Sequence, residues 1–160
     1  MLLIPIVHIE QMKTLPATPF IMRGCEGECC GNIKSNKIIN EAKLFQYPDV
    51  TSKVVGSLKK NSTFDLNKFE MYIRVGSYGS AEYSSKKLTV ISAESEGAVF
   101  AFDGTKFDSF GGGSDECIAC ERSSYKYKAP VTESWIKIYY GKNNWGWIKN
   151  VNNIEPGTCS

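Results

Sequence analysis

From Trp135 to Tyr140 the side chains alternate with a period of two, and the chain then turns back on itself. Ile136, Ile138 and Tyr140 fall on one face of the run and Trp135, Lys137 and Tyr139 on the other, as in a strand with one buried side. Gly141–Asn144 supplies the turn, and Trp145-Gly146-Trp147-Ile148 returns as the partner strand with both tryptophans on a shared face. No window of about eleven residues shows a helical stripe, so this hairpin points to an all-β fold. Short β-favouring runs at Lys43–Tyr47, Lys53–Leu58, Thr63–Leu66 and Met71–Val75 extend the rhythm, separated by Pro48-Asp49, by Lys59-Lys60-Asn61-Ser62 and by Asn67-Lys68. Leu88–Ser92 and Ala98–Phe102 make a further strand pair around Glu94-Ser95-Glu96-Gly97. Phe107–Glu116, which contains Gly111-Gly112-Gly113, reads as an exposed loop, and Ser114–Ser123 has room for one short helical turn.

Composition narrows the function classes. A chain of 160 residues that is 42% hydrophobic and 22% charged can bury a core without staples. The net charge of +2, from 19 basic against 17 acidic side chains, forms no concentrated basic stripe, which argues against nucleic-acid binding. Residues 81–124 carry four basic and eight acidic groups, a mild acidic excess. No apolar stretch approaches the eighteen or so residues of a membrane span. Met1–Val7 is apolar but short, lacks a preceding Lys or Arg and contains Pro5, so residues 1–20 are read as structure or a flexible arm in preference to a leader remnant.

Six cysteines fall in three groups: Cys25, Cys29 and Cys30, then Cys117 and Cys120, then Cys159. A core of this size does not need them, so an even, clustered set suggests a disulfide framework formed in an oxidising compartment. Zinc is the rival use, with the C-x-x-C of Cys117 and Cys120 joined by two thiolates of the first cluster, although adjacent Cys29 and Cys30 suit one metal poorly. A reactive C-x-x-C is a third, and it would be expected at a helix N-terminus beside a strand crossover, which the sequence does not show.

Leu44-Phe45-Gln46-Tyr47-Pro48, Ser52-Lys53-Val54-Val55-Gly56-Ser57-Leu58-Lys59-Lys60, Trp135-Ile136-Lys137-Ile138 and Trp145-Gly146-Trp147-Ile148 together resemble, in order, the bacterial SH3-like (SH3b) domain. Asn61 stands where that family usually has glycine, and asparagine also accepts a left-handed backbone. The resemblance covers less than half the chain and departs from the family in a long middle stretch. It implies a small, strongly bent SH3-like barrel over 36–160, interrupted by a β-rich insertion at about 77–130 and preceded by a Cys-rich extension over 1–35. It also implies a secreted or periplasmic bacterial binding module for a peptidoglycan peptide or an envelope protein, and fold alone does not fix the ligand.

Catalysis finds little support. His8 is the single histidine, so a Cys-His hydrolase would have to pair it with one of the thiols, and a Ser-His-Asp site meets the same bottleneck without a G-x-S-x-G elbow. Glu94, Glu96, Asp103 and Asp108 read as solvated turn charges more readily than as a glycosidase pair. They also carry the alternative of an inhibitor or immunity protein that blocks a basic enzyme. Asp103–Asp108 lacks the ligand number and spacing of a calcium loop, and the triple glycine lacks the Lys-Ser/Thr of a phosphate loop. The motifs call for no cofactor and no metal. Trp147, Phe64, Leu66 and Ile73 are the expected core. Tyr47, Trp135, Tyr139 and Trp145 are the expected ligand-binding aromatics, with closure of the fold by Trp135 and Trp145 as the competing role.

Overall fold

The computed structural model describes residues 4–24, 37–61, 69–141, 144–149 and 154–155. Twelve strands account for the regular structure: β1 (Phe20–Arg23), β2 (Lys37–Ile38), β3 (Ala42–Phe45), β4 (Val54–Leu58), β5 (Phe69–Ser77), β6 (Gly79–Tyr83), β7 (Lys86–Ala93), β8 (Val99–Phe102), β9 (Phe107–Phe110), β10 (Val131–Gly141), β11 (Asn144–Lys149) and β12 (Ile154–Glu155). Among the described residues two 3-10 turns, Ile9–Gln11 and Ser95–Gly97, join them, and there is no α-helix. The fold is all-β. No helix among the described residues is long and apolar enough to cross a membrane.

The chain divides into two compact units, one of Met1–Ile4, Arg23–Arg74 and Glu133–Ser160, the other of Pro5–Met22 and Val75–Thr132. A six-stranded sheet has the order β1-β5-β10-β11-β3-β4, of which β3, β4 and β11 lie wholly in the first unit. That order begins at β1 and ends at β4, so the sheet is open and not a closed barrel. β12 and β2 add a two-residue antiparallel ladder.

One face of the first unit's sheet makes its core. Alternation places Ala42 and Leu44 inward with Lys43 outward, and Ile136, Ile138 and Ile148 join them around Ile38. Val55, Leu58 and Met71 pack against this cluster half-buried. In the hairpin Ile136 stands opposite Ile148 and Lys137 opposite Trp147. A register shift between Tyr139 and Gly141 bends β10 where the hairpin turns. Ile73, expected in the core, is half-buried. Phe64, Leu66 and the expected strand Thr63–Leu66 lie outside the described residues.

The second unit is a meander of order β6-β7-β8-β9. Ala81, Leu88, Val90, Val99 and Ala101 cover one face of it and enclose Ile118 from the following loop. Ser84 and Ser85 both take positive φ, 49° and 64°, and form the two-residue turn between β6 and β7. Asp103 shapes the next turn, since its Oδ1 accepts the N–H groups of Thr105 and Lys106 at 2.8 Å each. These bonds hold the Asp103 carboxyl below the usual carboxylate range. Phe107–Phe110 is therefore a strand and not the start of an exposed loop, because the turn returns the chain into register with Phe107 opposite Phe102. Ser114–Ser123 forms bends and turns and no helix.

Both edges of this meander are managed. Along β6, Ser80 and Lys128 exchange main-chain hydrogen bonds of 2.9 and 2.8 Å, and the Glu82 N–H reaches the Tyr125 carbonyl at 2.8 Å. On β9 the Ser109 N–H donates to the neighbouring Asp108 Oδ1 at 2.8 Å, which removes one donor from that edge. Pro5–Met22 belongs to the same unit: Ile6 bridges Ile21 in parallel, and the Tyr78 hydroxyl donates to the Pro16 carbonyl. Burial pushes the Tyr78 hydroxyl up to about 12, so it remains a donor at any physiological pH.

Candidate functional site

The face of the first unit's sheet opposite its aliphatic core carries a ladder of rings and cations. Residues two apart along β5 and β10 place Glu70, Tyr72 and Arg74 beside Glu133, Trp135, Lys137 and Tyr139 on this face. Trp145 and Trp147 face them from β11, with Tyr139 opposite Trp145 and Lys137 opposite Trp147. The ladder starts at Arg23, whose guanidinium lies 5.3 Å above the Tyr72 ring and 3.0 Å from Glu70 Oε2. The Tyr72 hydroxyl donates to that same Glu70 oxygen, and burial first, then this bond, raises the hydroxyl above its ordinary value. Tyr72 then meets Trp147, ring centroids 5.1 Å apart. Lys137 Nζ stands 5.8 Å from the Trp147 ring and 4.9 Å from the Trp145 ring, and Trp145 meets Tyr139 edge to face at 5.6 Å.

Exposure grades along this ladder. Tyr72 and Trp147 are each 6% exposed, while Trp145 at the hairpin end is 38% exposed beside a half-buried Tyr139. The inner rungs are thus packing, and the outer pair is a surface. A lysine over two indoles contributes about 0.5–1 kcal/mol at a partly exposed site. Its larger effect is to hold a cation next to an apolar ring with its donors free to turn outward.

The four expected ligand-binding aromatics separate in the structure. Tyr139 and Trp145 come together as the outer pair. Trp135 is 1% exposed, a correction to the expected partly exposed side chain. It meets Phe45 edge to face at 6.0 Å, and its indole N–H donates to Glu133 Oε2 at 3.0 Å. Glu133 in turn pairs with Lys149 at 3.4 Å and lies 3.9 Å from Arg74, so a charged cluster seals the indole. Trp135 is a core residue of this face. Tyr47 is half-buried on a separate turn, where Ser52 Oγ accepts the Tyr47 N–H at 3.3 Å and donates to the Asp49 carbonyl at 2.6 Å. The Asp49 carboxyl accepts the Thr51 N–H and hydroxyl at 2.8 Å each, which holds it below the usual carboxylate range with a further contribution from Arg74.

The residues missed by alternation alone are Lys137, Tyr72 and Arg23. Lys137 joins through the hairpin register, and Tyr72 and Arg23 through strand order, which local sequence does not carry.

The other expected sites lie in the second unit or outside the described residues. His8 is exposed at the start of the Ile9–Gln11 turn. Asp103 and Asp108 each face a lysine, Lys86 at 3.7 Å and Lys106 at 3.4 Å, while Glu94 and Glu96 are exposed. Cys117 and Cys120 are half-buried free thiols, and the described residues hold no cluster of three or more His, Cys, Asp and Glu side chains suited to a metal. Cys25, Cys29, Cys30 and Cys159 lie outside the described residues. No protein-family model matches the chain, and neither a curated protein nor a solved structure shows significant similarity to it.

Proposed function

We propose that the first unit is an SH3-like binding module of a secreted or periplasmic bacterial protein, and that it takes a peptidoglycan peptide on the outer end of the aromatic ladder. The observation that carries this reading is the pairing of an exposed indole, Trp145 at 38%, with Tyr139 and with a lysine 4.9 Å above the ring. Such a corner suits a ligand that offers an aliphatic stem to the rings and a carboxylate to Lys137, and short cell-wall peptides have both groups. The ordered SH3b-like motifs, which run through β3, β4, β10 and β11, support the same reading. The module acts by binding alone: the rings exclude water from one side of the ligand, and the ammonium fixes its orientation through a charge-assisted hydrogen bond.

Titration with soluble stem peptides, followed by tryptophan fluorescence, tests this directly. Trp145→Ala is expected to weaken binding about 30-fold, the scale of a central aromatic contact worth about 2 kcal/mol. Lys137→Gln is expected to weaken peptides with a free carboxylate while sparing their amidated forms. Equal affinity of wild type and Trp145→Ala would overturn the assignment of this face. An envelope protein as the natural ligand would show as no response to any stem peptide.

A further inference from the structure

The C-x-x-C segment of the second unit is seated in a way that its sequence does not announce. Ile118, fully buried, anchors it in the apolar cluster. The N–H groups of Ile118 and Ala119 both donate to the Gly97 carbonyl, at 2.9 Å each, so two consecutive amides close on one oxygen and curl the backbone between the cysteines. Gly97 takes φ +77°, and a Cβ there would stand 2.4 Å from Cys117 Sγ, so the thiol packs against bare backbone. On the other side Gly111, at φ +71°, leaves room for Ile118 Cδ1, which would be 2.6 Å from a Cβ. The segment is held by main-chain bonds and two glycines, and its fold does not depend on either sulfur. Within it the Cys120 thiol donates to the Cys117 carbonyl at 3.0 Å.

We propose that Cys117 and Cys120 are a self-contained thiol–disulfide couple that closes on itself by exchange with a low-molecular-weight disulfide, and that neither bridges to Cys25, Cys29, Cys30 or Cys159. One cysteine, as thiolate, attacks a sulfur of the small disulfide and expels half of it as a thiolate, which takes up a proton. The second cysteine loses its proton and displaces the other half. Two S–H bonds are lost and one S–S bond forms in the protein, while the small disulfide is reduced to two thiols. Because the backbone is already curled, closure needs the Cys120 side chain to turn from the Cys117 carbonyl to its sulfur. The half-buried position of both thiols gives a small disulfide the access that attack requires.

The test uses the full chain, equilibrated with excess oxidised glutathione, then blocked with an alkylating agent, digested with trypsin and read by mass spectrometry. Both cysteines fall on the single tryptic peptide Phe107–Arg122. The expected result is that this peptide runs unalkylated and two hydrogens light, and returns doubly alkylated after reduced glutathione. Cys120→Ser and Cys117→Ser variants are expected to trap a glutathione adduct on the remaining thiol. Cross-linked peptides that join Cys117 or Cys120 to another cysteine would overturn the proposal. So would a wild-type peptide that stays doubly alkylated, or singly glutathionylated, in excess oxidant.

Discussion

Trp135→Ala is expected to lower stability by about 4 kcal/mol, within the range for removing a large buried aromatic, and to lower Tm by roughly 8–16 °C for a chain of this size. The indole is 1% exposed, meets Phe45 edge to face and donates its N–H to Glu133. Truncation removes that packing and leaves a cavity, and it also frees a carboxylate oxygen that Arg74 and Lys149 only partly satisfy. Thermal unfolding followed by circular dichroism reads the effect. Trp145→Ala is the matched comparison, because that side chain is 38% exposed and its loss is expected to cost about 1 kcal/mol or less. Equal shifts for the two variants would mean that the distinction between inner packing and outer surface on this face is wrong.

Gly79→Ala is the second large effect, expected at about 3 kcal/mol or more, the upper end for inserting atoms into a filled space. A Cβ at Gly79 would stand 2.2 Å from the Lys128 carbonyl oxygen and 2.6 Å from Pro130 N. Both obstacles are backbone, so relief requires the Tyr125–Pro130 segment to lift off β6. The amide protons of Ser80 and Lys128, paired in the wild type, are then expected to lose hydrogen-exchange protection together. Gly113→Ala separates steric conflict from backbone preference. Gly113, unlike Gly79, has positive φ, +85°, and nothing lies within 4 Å of its added Cβ, so its cost is expected to stay at about 1–2 kcal/mol. A Gly79→Ala protein that melts with the wild type would contradict the close approach of the two segments.

The hairpin Trp135–Ile148 was legible because Trp135–Tyr140 alternates strictly and a marked turn follows, whereas the register shift between Tyr139 and Gly141 has no such signal. What alternation cannot tell is which face is covered. The run Trp135, Lys137, Tyr139 looks like a solvent face from its polar members, yet Trp135 is buried, since Phe45 and Glu133 come to it from positions far along the chain. β6 escaped notice because Gly79-Ser80-Ala81-Glu82 has weak β preference and depends on pairing with β7 and the Tyr125–Lys128 segment. Its turn, Ser84-Ser85, adopts the conformation that Asn-Gly would have advertised. β9 was concealed differently. Asp103-Gly104 is a recognisable hairpin signal, but the triple glycine that follows drew the whole of Phe107–Glu116 into a loop. For the candidate site, Tyr139 and Trp145 were readable as aromatics of a strand end or the less apolar face, while their pairing depends on the hairpin register and the rungs from Arg23 to Trp147 on strand order across the sheet.

The proposed binding of a cell-wall peptide at the outer end of the ladder is read most directly by co-sedimentation with purified, protein-free peptidoglycan. The wild-type chain is expected to pellet with the wall, Trp145→Ala to remain in the supernatant with an unchanged circular dichroism spectrum, and soluble stem peptides to release the bound wild type. A wild-type chain that stays in the supernatant, or a Trp145→Ala variant that pellets as well as wild type, would contradict it.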